Sequence, residues 1–143
     1  MMPQLPDAID QQTSNWLYPP QQIAGGRPVI IYFWSISCSV CKDKMPVFLD
    51  FAKHEGQFFD ILLVHVPRST SDLDIETIHD YLLPKNIDLP VYLDQRHQMK
   101  NTFRVQKLPC IVLLDRKGRV RHLQSGGNFT TMLTNQLDAL RYS

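Results

Sequence analysis

The sequence predicts an α/β fold of three layers, α/β/α, around a mixed central sheet. Two unbroken apolar runs, Val29–Trp34 and Phe59–Val66, lack polar alternation, as strands covered on both faces do. Segments with apolar residues at helical spacing alternate with such runs, which implies βαβ crossovers. Near the C-terminus two further runs flank the charged turn Asp115-Arg116-Lys117-Gly118, predicting an antiparallel hairpin and so a sheet of mixed direction.

In chain order, residues 1–28 hold Pro3, Pro6, Pro19, Pro20 and Pro28 with Gly25-Gly26, and read as an irregular arm. Within it Trp16, Leu17 and Tyr18 are suited to covering part of the core. Residues 29–143 form the one domain that 143 residues support. After the strand Val29–Trp34, the spacing of Val40, Met45, Phe48, Leu49 and Ala52, interleaved with Lys42, Asp43, Lys44, Asp50 and Lys53, predicts a helix over Ser39–Lys53. Pro46 removes one backbone donor inside it and frees the carbonyl of Lys42, while the apolar period continues to Ala52. The strand Phe59–Val66, a helix over Leu73–Leu83, a short strand run at Leu89–Leu93 beyond Pro84 and a helix near Gln95–Phe103 follow. Strands at Cys110–Leu114 and Val120–Leu123 and a helix from Thr130 to Arg141 end the chain.

Fifteen Lys and Arg stand against fourteen Asp and Glu, a net charge of +1 that gives no broad pull toward nucleic acid or an anionic membrane. The cluster Arg116-Lys117-Gly118-Arg119-Val120-Arg121 reads as a hairpin end charged for solubility and edge protection. Met1 to Gln12 holds two acids, no basic residue and no apolar core, and no run approaches the roughly 18 residues of a membrane span. The chain as given therefore reads as soluble and cytoplasmic, an extracytoplasmic location being the alternative for a protein whose leader or anchor has been removed.

Three cysteines cannot form a disulfide framework, and two of them, Cys38 and Cys41, are three positions apart where a strand ends and a helix begins. A cysteine in the first helical turn faces unpaired N–H groups and the positive end of the helix dipole, both of which favour thiolate over thiol. In Cys-X-X-Cys pairs this lowers the thiol from about 8.5 to ~3.5–7.5. Cys38 is therefore the expected nucleophile, with Lys42 adding to the effect. Cys41, one turn further in, is placed to resolve the mixed disulfide that Cys38 forms. A zinc or copper site is the competing reading, with Cys110 and one of His54, His65, His79, His97 or His122 completing the ligands. No second closely spaced ligand pair supports it. Cys110 itself reads either as a small buried residue or as a third reactive sulfur.

Tyr32-Phe33-Trp34 running into Cys38-Ser39-Val40-Cys41-Lys42, with Pro46 and then Leu108-Pro109 before the strand at Cys110, resembles thioredoxin-like proteins. Trp16-Leu17, Gly26-Arg27-Pro28-Val29 and the insertion between Val66 and Leu89 narrow the resemblance to the TlpA/ResA-like branch of thiol-disulfide oxidoreductases, over residues 14–140. The resemblance implies a thioredoxin-like fold that reduces protein disulfides, with Cys38 attacking and Cys41 resolving. It also implies a cis Pro109 facing the pair, and substrate contacts at Trp34, Leu108 and Pro109, where the Leu108 backbone is free to pair with an extended segment. No cofactor or metal is needed; the implied partners are a disulfide-containing protein and a reducing protein or small thiol, acting on a monomer. The carboxylates that such proteins keep near their cysteines are unmatched. Tyr32 stands where thioredoxins have a buried Asp, and Val66-Pro67-Arg68-Ser69 offers a cation, leaving His65, Glu76 or water as the base for Cys41. The missing acids keep a second class open, a non-catalytic interaction module, although docking alone would need neither sulfur.

Overall fold

The computed structural model describes residues 15–20, 26–126 and 129–141. Six strands, β1 (Trp16–Tyr18), β2 (Val29–Trp34), β3 (Asp60–His65), β4 (Val91–Leu93), β5 (Cys110–Leu114) and β6 (Val120–Ser125), form one sheet. Its order is β1-β4-β3-β2-β5-β6. The helices are α1 (Ser39–Glu55), α2 (Ile75–Leu82), α3 (Gln98–Thr102) and α4 (Phe129–Arg141). Strands β2, β3 and β4 run parallel, whereas β1, β5 and β6 join antiparallel, so the sheet is mixed as expected.

The period-2 alternation of strand side chains divides the interior into two layers. Ile30, Tyr32 and Trp34 of β2 point to one face, where they pack with Met45 and Phe48 of α1, Ile78 and Leu82 of α2, and Leu137 and Leu140 of α4. Val29, Ile31 and Phe33 point to the other, against Met99 of α3, Phe103 and Val105. Tyr32 and Phe48 stack with ring centroids 4.4 Å apart, a contact that contributes about 0.5–1.5 kcal/mol beyond the area it buries. Helix α1 runs unbroken through Pro46 to Glu55, following the apolar period.

Three elements differ from the sequence reading, each because a polar side chain or a distant partner intervenes. The helix expected over Leu73–Leu83 starts only at Ile75, since Asp74 caps it by accepting from the Glu76 N–H at 3.2 Å; Thr70–Leu73 ahead of it is a 3₁₀ turn. The helix near Gln95–Phe103 contracts to Gln98–Thr102. There His97 is left-handed (φ 58°) and the buried Asp94 carboxylate accepts from the N–H groups of Met99 and Lys100. Finally, Trp16–Tyr18 of the N-terminal arm is an edge strand, paired with β4 and with Trp16 edge-on to Tyr92 at 5.1 Å. Residues 1–14 and 21–25 of that arm lie outside the described residues. Among the described residues no helix is long and apolar enough to cross a membrane.

The hairpin turn is organised by Asp115, whose carboxylate accepts from the N–H groups of Lys117 and Arg119 and from Arg119 Nε, all at 2.9 Å. Gly118 takes the φ of 82° that the turn needs. The topology leaves the end of β2, the start of α1 and the start of β5 at one edge of the sheet, since Phe33 is paired with Cys110.

Candidate active site

Cys38 and Cys41 are joined as a disulfide at that edge, with their Cα atoms 5.2 Å apart. Cys38 is the N-cap of α1, in extended conformation (φ −94°, ψ 107°), and its sulfur accepts from the Cys41 N–H at 3.2 Å. The sequence produces this cap because a six-residue buried strand stops at Trp34 and the chain turns through Ser35-Ile36-Ser37 into the helix. The Cys38 N–H closes the turn on the Ser35 carbonyl at 3.1 Å. No acid stands in the first turn of α1, so nothing there cancels the positive end of the dipole beneath Cys38.

The two sulfurs are not equivalent. Cys38 is 4% exposed and Cys41 0%, while Ser37, Ser39 and Val40 around them are open to solvent. An incoming disulfide thus meets the N-capping sulfur, and the inner one is reached only from within. Beneath the pair, the Tyr32 hydroxyl donates to the Cys41 carbonyl at 3.0 Å. Burial, with Tyr81 adding, pushes the Tyr32 phenol well above its ordinary value, so it keeps its proton. The residue at the place of the thioredoxin Asp thus holds the helix backbone and supplies no base.

The groups expected to substitute for that Asp do not do so. His65 is fully buried, its Nε2 accepts from the Ile36 N–H at 3.1 Å, and burial lowers it to about 4, against a smaller opposing effect from Asp72. It is a neutral ring committed to the turn before Cys38. Glu76 is exposed on the first turn of α2.

Of the three residues expected to meet substrate, only Leu108 is partly open; Trp34 and Pro109 are buried. Trp34 is 0% exposed and lies edge-on to His65 at 5.0 Å, in the same core layer as both cysteines. Trp34 is part of the core, in the layer that holds the pair. The Leu108–Pro109 peptide is cis, and the Pro109 carbonyl accepts from the Gly126 N–H at 2.9 Å. Among the described residues, the N–H and carbonyl of Leu108 make no hydrogen bond.

Cys110 belongs to the opposite layer, with Met99, Phe103 and Val112, because its register with Phe33 aims it away from the pair. It is fully buried, and burial raises its thiol to about 11 despite contacts with Ser125 and Gln124. Its place in the opposite layer sets it apart both as a third reactive sulfur and as a third ligand beside Cys38 and Cys41. Among the described residues no group of three or more His, Cys, Asp or Glu is placed to hold a metal ion. An expected consequence is that the folded, reduced protein takes up one alkyl group rapidly from iodoacetamide, at Cys38, and that the fully buried Cys110 reacts only on unfolding, read by intact mass. Rapid addition of three would contradict the burial of Cys110.

One functional candidate was absent from the sequence reading. Asp72, 3% exposed, places a single carboxylate oxygen within hydrogen-bonding distance of Ser37 Oγ (2.6 Å), the Arg68 N–H (2.8 Å) and Ser35 Oγ (3.1 Å). Burial alone would raise its pKa, but these bonds, with His65 nearby, hold the carboxyl below the usual carboxylate range. Ser35 and Ser37 are more than 30 residues away in sequence, and Asp72 is one of several acids in the insertion after Val66, with nothing in the sequence to single it out.

The profile of the Thioredoxin-like family matches residues 25–120, well over half of the chain. The chain belongs to the thioredoxin-like family. Within it, the thiol-disulfide oxidoreductase YkuV of Bacillus subtilis is 33% identical over 118 residues, spanning 82% of this chain and 80% of that protein. The thiol-disulfide oxidoreductase ResA of the same organism is 25% identical over 81% of this chain and 63% of its own length. The solution structure of a thioredoxin-like protein in the oxidised form superposes with a TM-score of 0.77 at 31% identity, covering 90% of this chain and 89% of that one.

Proposed function

We propose that this thiol-disulfide oxidoreductase of the thioredoxin-like family reduces protein disulfides, with Cys38 attacking, Cys41 resolving, and Leu108 and Pro109 positioning the substrate. The observation that carries the roles is the asymmetry of the pair: one sulfur caps the helix and keeps 4% exposure beside the open Ser37 and Ser39, and the other is fully buried one turn behind it.

In the reduced protein the Cys38 thiolate, favoured by the N–H groups and dipole of α1, attacks one sulfur of a substrate disulfide. The substrate S–S bond breaks, one substrate thiolate leaves, and a mixed disulfide forms. Cys41 then loses its proton and attacks Cys38, expelling the second substrate thiolate and closing the Cys38–Cys41 disulfide. Two electrons have passed to the substrate, and a reducing protein or small thiol restores the dithiol. The Tyr32 phenol keeps its proton, the His65 ring is committed to the Ile36 N–H and Glu76 is exposed on α2, so water takes this proton. The N–H and carbonyl of Leu108, unpaired among the described residues, offer an extended substrate segment two main-chain hydrogen bonds beside the reactive sulfur, a short strand addition. Trp34 keeps the pair in place from beneath.

The proposal takes the cytoplasm as its location, where thiols are kept reduced, with an extracytoplasmic site as the alternative, and a monomer as the working unit. Its test is turnover: catalytic amounts of the protein should accelerate the reduction of insulin by dithiothreitol, followed as turbidity. A rate equal to dithiothreitol alone would refute it.

A further inference from the structure

The three residues between β2 and Cys38 are all held from one side. The hydroxyls of Ser35 and Ser37 donate to the same Asp72 oxygen, and the Ile36 N–H between them donates to His65 Nε2. Asp72 is itself fixed by the Arg68 N–H, and its own N–H donates to the Ser69 carbonyl at 3.1 Å. The connection after β3 therefore clamps the turn that presents the nucleophile, and it does so with a carboxylate.

We propose that Asp72 is a positioning residue that sets the reactivity of Cys38, its charge opposing the thiolate while its hydrogen bonds hold the turn that the thiolate caps. This rests on the reading of Cys38 as the attacking sulfur. The two parts act in different directions. Holding the turn keeps Cys38 over the N-terminus of α1, which favours the thiolate. The charge, one hydrogen bond and one residue away, disfavours it. The other groups facing Asp72 are two neutral hydroxyls, a backbone N–H and the neutral ring of His65, so among the described residues no cation neutralises the carboxylate there. The Arg68 side chain is exposed.

A consequence for the redox couple follows. In the equilibrium protein dithiol + oxidised glutathione ⇌ protein disulfide + two reduced glutathione, the carboxylate raises the free energy of the thiolate form and has little to oppose in the neutral disulfide. It therefore drives the protein toward the disulfide, making the dithiol a stronger reductant. Asp72 differs in this from an acid that takes the proton of the resolving thiol, because its contacts lie on the Cys38 side.

The experiment compares wild type with Asp72→Asn, which keeps an acceptor oxygen for the two serines and removes the charge. The Cys38 acidity constant is read from the pH profile of iodoacetamide alkylation, and the oxidation equilibrium from glutathione buffers. The expected result is a Cys38 thiol several-fold to about tenfold more acidic, with the equilibrium constant for oxidation lowered by a similar factor. An unchanged profile and equilibrium, or a less acidic thiol, would overturn the proposal and leave Asp72 a structural tie only. Cys110 reports folding: it stays unalkylated in a folded variant. If Asp72→Asn exposes Cys110, Ser37→Ala, which cuts the shortest link to the turn, replaces it. In Ser37→Ala the charge stays and only the hold on the turn is cut, so a less acidic Cys38 with a raised oxidation constant supports the proposal, and an unchanged or more acidic thiol overturns it. If Cys38→Ser retains the fast alkylating thiol, the assignment of Cys38 has failed, and this is distinguishable from failure at Asp72.

Discussion

Cys38→Ser should lower catalysed insulin reduction by about three orders of magnitude or more, to the rate of dithiothreitol alone. A serine hydroxyl stays protonated where a helix-capping thiol ionises, and it does not attack sulfur at neutral pH. Cys41 cannot take over, since it is fully buried behind the first turn of α1. Cys110→Ala should leave the rate at the wild-type value, because that sulfur lies in the opposite core layer. Turbidity curves for the three proteins at equal concentration check this. Residual catalysis in Cys38→Ser within tenfold of wild type would move the nucleophile elsewhere.

The second large effect is at the resolving step. Cys41→Ser retains the attack of Cys38 but not its release, so turnover should fall by about two orders of magnitude or more. An external thiol then replaces an intramolecular one held at high effective molarity. The blocked intermediate should accumulate as a covalent adduct between the variant and its disulfide substrate, visible by intact mass and on non-reducing gels, and dispersed by dithiothreitol. Adduct formation by Cys38→Ser, with none by Cys41→Ser, would reverse the two roles.

Much of this was legible in the sequence because it depends on local pattern. Val29–Trp34 has no polar residue to expose, so it had to be central, and the helical spacing through Ala52 carried α1 past Pro46. Those two elements alone fix Cys38 at a strand-to-helix junction, which is most of the chemistry. The strand period also decides Cys110, once the pairing of β2 with β5 sets its register. What the sequence hid is nonlocal. Trp16–Tyr18 becomes a strand only because β4 presents an edge, and Asp72 matters only because folding brings it to Ser35 and Ser37. The truncated starts of α2 and α3 come from Asp74 and Asp94, acids whose capping role outweighs the apolar period around them. Trp34 ends an unbroken apolar run and so reads first as sheet core, which is where it lies, in the layer that also holds Cys38 and Cys41.

The central claim is that Cys38 and Cys41 form a reversible couple poised to reduce. Equilibrating the purified protein across glutathione and dithiothreitol buffers, with free thiols counted by mass, tests it most directly. The account predicts a two-electron transition confined to Cys38 and Cys41, toward the thioredoxin end of the range, near about −270 mV. A transition near the DsbA value of about −120 mV, or no reversible couple between these two sulfurs, would contradict it.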